Sequence, residues 1–92
     1  MANIGPNVIG GIEKLVYDML FTHMEEIDRE YMLSEAGIKV DVPVTIKPGD
    51  KGLKVKVGFG LSRGKLKDSV EADMNENQTN WVKDNGKKEA QA

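Results

Sequence analysis

A chain of 92 residues suffices for one compact domain and not for two, and its lack of cysteine excludes disulfides, thiolate metal sites and cysteine nucleophiles together. With 39% hydrophobic and 30% charged residues the composition is globular, and so small a core leaves modest stability to which association would add. The formal net charge of −2 hides a division: residues 1–37 carry two basic and seven acidic side chains, residues 38–68 eight and three, and residues 69–92 three and five.

From Pro6 to Ser34 apolar residues recur at helical spacing, among them Val8, Ile12, Leu15, Val16, Met19, Leu20, Met24, Ile27 and Tyr31, which predicts one long helix over about 7–34. Pro6 suits a first turn, Asn3 or Asn7 could cap it, and Gly37 stands where a left-handed terminator belongs. The apolar arc around Ile12, Leu15, Val16, Met19 and Leu20 is wider than one sheet requires. These five residues, with His23, are therefore the expected interface of a homodimer formed about a twofold axis.

Residues 38–47 alternate, with Ile38, Val40, Val42, Val44 and Ile46 on one side and Lys39, Asp41, Pro43, Thr45 and Lys47 on the other. PGDKG (48–52) is a turn by composition, and residues 53–61 repeat the alternation with Leu53, Val55, Val57, Phe59 and Leu61 inward. Pro43 cannot donate to a ladder, so the first strand belongs at an edge. A weaker alternation over 65–74 predicts a third strand with Leu66, Val70, Ala72 and Met74 inward. The expected fold is α+β, one long N-terminal amphipathic helix on a three-stranded antiparallel meander, with residues 1–75 as the domain and 76–92 as a polar, disordered tail.

Motifs for chemistry fail one by one. GFGLSRGK (58–65) is no Walker loop, because Phe59 and Leu66 occupy positions where that motif needs Gly and Ser or Thr. His23, the only imidazole, has Glu26 and Glu30 nearby but too few partners for a closed metal site, and no base serves a nucleophilic hydroxyl. Neither enzyme activity, a metal nor a cofactor is expected. The N-terminal MANIGPNVIGG lacks the positive flank and apolar run of a secretory leader, so a cytoplasmic protein of the host cell cytosol is expected.

One surface has a binding signature. Lys39, Lys47, Lys54, Lys56, Lys65 and Lys67 project outward from the strands, Arg63 sits at a turn, and Gly58 and Gly60 leave bare backbone where another surface could approach. Trp81, the only tryptophan, is a possible anchor in the tail. These ten residues form the expected partner site, facing an acidic host or phage protein. Nucleic acid is the alternative, disfavoured because no aromatic side chain on that face could stack a base, and a small anionic ligand is a third.

The stretch IKVDVPVTIKPGDKGLKVKVGFGLSRGKLKDSVEADMNENQ (38–78), behind an amphipathic helix and before a polar tail, resembles in layout the small proteins of phage and prophage early regions. That resemblance implies a compact stoichiometric binder: a replication accessory protein, or an inhibitor of host defence of the anti-CRISPR kind.

Overall fold

A computed structural model describes residues 3–50, 52–62 and 64–77 of the chain. The fold is α+β as expected, with elements in the order α1 (Pro6–Thr22), α2 (Met24–Leu33), β1 (Val40–Asp41), β2 (Val44–Pro48), β3 (Leu53–Leu61) and β4 (Leu66–Met74). All pairing is antiparallel and β3 is the hub, with β4 on one side and both β1 and β2 on the other. The predicted first strand is thus present but broken at Val42 and Pro43, where Gly58 N–H donates to the Pro43 carbonyl at 3.0 Å and proline has no N–H to return.

The core lies between α1 and one sheet face. Val8, Leu15 and Met19 of α1 meet Val55, Val57, Phe59 and Leu61 of β3 and Ala72 and Met74 of β4, all buried. Ile12, Val16, Ile27, Ile38, Val40, Val42, Leu53 and Val70 pack around them half-buried. Period-2 patterning therefore selected the inward face correctly along β3 and for Val70, Ala72 and Met74 of β4. Val44 and Ile46 share that face by register with Val57 and Val55 but stay exposed, because α1 lies over β3 and leaves β2 uncovered.

The single long helix expected from the pattern is two helices. His23 interrupts it at φ −104°, ψ 19°: its N–H donates to the Met19 carbonyl at 3.3 Å to close α1, and its carbonyl accepts from Ile27 N–H at 2.9 Å to open α2. Its ring explains the interruption: it stacks on Phe59 at 4.1 Å between centroids and 5° between planes, and its two nitrogens meet Glu26 Oε1 at 3.3 Å and Asp68 Oδ2 at 2.8 Å. Gly37 does adopt a positive φ of 99°, but α2 has already ended at Leu33 with Ser34 as its cap, and the Ser34 hydroxyl donates to the Tyr31 carbonyl.

Neither asparagine caps α1 with its side chain. The Glu76 carboxylate does so from beyond β4, accepting from Gly5 N at 2.8 Å, Asn7 N at 2.9 Å and Val8 N at 2.9 Å, while Asn7 Nδ2 donates to the Glu76 carbonyl. Glu76, assigned from sequence to the tail, is therefore tied to the helix, and the rest of the tail from residue 78 lies outside the described residues. Partial desolvation, the largest influence, pushes the Glu76 carboxyl up, but the donors of Asn7, Val8 and Gly5 together hold it below the ordinary glutamate range.

A folded value below the unfolded one means that this contribution is fully present above about pH 4.5 and is lost as pH falls through the folded value. Glu76→Gln should accordingly lower the melting temperature at pH 7, with the gap to wild type closing progressively below about pH 4. Parallel thermal melts across that range check it, and a gap independent of pH would remove the carboxylate from the account.

Candidate interaction surfaces

Register fixes which side chains reach the outer sheet face, away from the helices. Lys54 faces Asp73 and Lys56 faces Glu71 across β3 and β4, and Lys47 sits beside Lys54 on β2. Two of these lysines engage carboxylates, Lys54 with Asp73 at 3.3 Å and Lys47 with Glu71 at 3.6 Å, and Lys39 similarly meets Asp41 at 3.7 Å. A strip that reads as cationic along each strand is therefore a mixed-charge lattice once the strands are side by side.

Lys67 does not belong to that strip. Phe59 pairs with Asp68 and Gly60 with Leu66, so Lys67 is the extra residue of a bulge. Side-chain parity changes there. Leu66, expected inward, shares the outer face with Gly58 and Gly60, while Lys67 reaches Glu26 on α2. Leu66 also fills the groove expected at Gly58: a Cβ added to Gly58 would lie 2.9 Å from Leu66 Cδ1, and both glycines are buried. Of the other residues expected to meet a partner, Lys65 is exposed beside the turn, and Arg63 and Trp81 lie outside the described residues.

His23, Glu26, Lys67 and Asp68 form one polar node where the helix breaks. The Lys67 hydrogen bond is the main cause holding the Glu26 carboxyl below its ordinary range, opposed by partial desolvation and assisted by His23. With carboxylates at both ring nitrogens and Phe59 against its face, His23 positions α2 on the sheet. Asp68 is the partner the sequence reading missed. Its place opposite the inward Phe59 follows from the alternation through Val70 and Ala72, and that parity was the available signal.

The six residues expected at a twofold interface mostly serve the chain itself. Leu15 and Met19 are buried in its core, Ile12 and Val16 pack against that core, Leu20 is half-buried, and His23 is held as described. What the helices leave exposed is the adjacent face: Tyr17 at 63%, Phe21 at 58%, Met24 at 51% and Tyr31 at 59%. Tyr17 and Phe21, four apart on α1, stack their rings at 5.9 Å between centroids, and Met24 and Tyr31, seven apart, share one side of α2. Ile9 lies near the start of this face, and Met32 and Leu33 stand exposed at the end of α2, which buries no residue fully.

These features define a class: a small α+β protein with a broken helix on one side of an antiparallel sheet and an uncovered aromatic and methionine face on that helix. No protein-family model, curated protein or solved structure matches the chain. Among the described residues no helix is long and apolar enough to cross a membrane.

Proposed function

We propose that the chain is a non-catalytic binding protein that occupies a surface of a macromolecular partner through the exposed face of α1 and α2, and so inhibits or modulates that partner stoichiometrically. One observation carries this reading. Tyr17, Phe21, Met24 and Tyr31 are each more than half exposed along one side of the helices, in a chain whose buried core is small. Aromatic and methionine side chains are the residue types over-represented at protein interfaces, and a contiguous patch of them in a small domain costs solubility unless something covers it. The resemblance of its sequence layout to phage early-region proteins, inhibitors of host defence among them, is in keeping with a stoichiometric binder.

The alternative of a nucleic-acid accessory protein on the outer sheet face has less support. Lys39, Lys47 and Lys54 are engaged with carboxylates, Lys67 turns to α2, and no aromatic residue of the described strands stands on that face. Affinity capture from lysate of the cell of origin, with and without nuclease, separates the two readings. A protein retained at stoichiometric yield despite nuclease, and lost with the double variant Tyr17→Ser and Phe21→Ser, supports the helix face. Retention that disappears with nuclease, or that is indifferent to the double variant, rejects it.

A further inference from the structure

The charges interleaved with the aromatic face are almost all of one sign. Glu13 lies one turn before Tyr17 on α1, Glu25 follows Met24 at the start of α2, and Asp28 stands four residues after Met24 and three before Tyr31. All three carboxylates are exposed and have no ion-pair partner among the described residues. Lys14, the one lysine in this part of the helix, approaches Asp18 at 4.0 Å. The segment 1–37 as a whole carries seven acidic and two basic side chains.

Resting on the helix-face reading above, we infer that the partner presents a cationic amphipathic helix, with apolar side chains seated among Tyr17, Phe21, Met24 and Tyr31 and lysines or arginines directed at Glu13, Glu25 and Asp28. Charge complementarity selects this occupant. An apolar helix face rimmed by carboxylates fits a helix whose own apolar stripe is rimmed by cations, the arrangement by which helix-in-groove recognition gains both affinity and sign. Methionine and stacked aromatics tolerate differing apolar side chains, so the rim charges supply the discrimination.

A second copy of the same chain fits less well. Twofold pairing places a surface against itself, so that Glu13, Glu25 and Asp28 of both copies would share one interface with only Lys14 and Arg29 of each copy to offset them. An acidic or purely apolar helix meets the same face without complementarity.

The test uses the full chain, isotopically labelled, and three synthetic peptides that share leucines at helical spacing. The first carries lysine, the second glutamate and the third glutamine at the remaining positions. The lysine peptide is expected to bind saturably, with amide shift changes concentrated at Tyr17, Phe21, Met24, Asp28 and Tyr31, and to weaken as salt rises from about 50 to 200 mM. Phe21→Ser should weaken it by about tenfold, with circular dichroism confirming that the exposed substitution leaves the fold intact. The double variant Glu13→Lys and Asp28→Lys should transfer preference to the glutamate peptide.

Equal binding of all three peptides at this face would overturn the assignment of a cationic partner while leaving the face a docking surface. Shifts confined to the outer sheet face would overturn both readings. A dimer that sediments as such and keeps Tyr17 and Phe21 protected would replace the partner helix by a second copy.

Discussion

Replacing Phe59 by alanine should cost about 3–5 kcal/mol, the usual penalty for deleting a fully buried aromatic ring. Phe59 is 0% exposed and has the largest side chain in the completely buried set. It lies on β3, the strand that every other strand pairs with, and its ring is the surface against which His23 stacks. Truncation therefore opens a cavity in the core and removes the surface against which the His23 ring rests. A domain of this size holds about 5–15 kcal/mol in total, so the variant would sit near the folding threshold, with a melting temperature about 15–30 °C lower. Phe59→Leu, which keeps most of the volume, should lose about 1.5 kcal/mol or less. Phe21→Ala removes an aromatic ring of the same kind from an exposed site and should change stability by no more than about 0.5 kcal/mol. Urea titrations of the three variants check the ranking, and similar losses for Phe59→Ala and Phe21→Ala would contradict the placement of both rings.

Gly52→Ala is the second large effect. A Cβ at this position would lie 2.5 Å from the Met74 backbone oxygen and 3.4 Å from Asn75 Cα, and a backbone oxygen in a paired strand cannot swing aside. The residue closes the β2–β3 turn, where Gly49 N–H donates to its carbonyl at 2.9 Å, just before Leu53 pairs with Met74. Relief would require moving that turn off the end of β4, and about 1–3 kcal/mol should be lost. Gly10→Ala supplies the opposite sign. No atom lies within 4 Å of a Cβ built there, the site is an exposed helix interior, and the substitution should stabilise by about 0.5–1 kcal/mol. Calorimetry on the pair distinguishes a steric cause from a general preference against glycine, because the two changes are chemically identical.

Which parts of this molecule were legible in the sequence follows from the range over which each is determined. Alternation in residues 38–47 and 53–61 reports burial directly, and Val55, Val57, Phe59 and Leu61 lie where it places them. Pro43 announces an edge strand because its missing donor is a local chemical fact. The helix break was not legible, since His23 fits the apolar period. Only its contacts with Phe59 and Asp68, 36 and 45 residues onward, distinguish it from the residues around it. The same holds for Glu76, whose role depends on where β4 ends in space.

The residues available at the surface were legible in composition, but their neighbours across strands and helices were not. The arc of Ile12, Leu15, Val16, Met19 and Leu20 is taken up by the chain's own core, and Tyr17, Phe21 and Met24 are what stands exposed at its flank. Counting lysines strand by strand overlooks that Asp73 and Glu71 arrive from β4 to stand among them. A one-residue bulge at Lys67 then exchanges the faces of Leu66 and Lys67, which no periodicity within the strand can signal.

The carboxylate of Glu76 joins positions 71 apart in the chain, so the described fold is a ring closed by hydrogen bonds where its two extremities meet. Fraying at either extremity is then the same event: release of the segment after β4 strips the first turn of α1 of its acceptors, and unwinding of that turn frees the segment. α2 is tied differently, side chain to side chain, through Lys67 with Glu26 and Asp68 with His23. The first turn of α1 thus depends on one carboxylate, whereas Tyr31, Met32 and Leu33 at the end of α2 stand exposed.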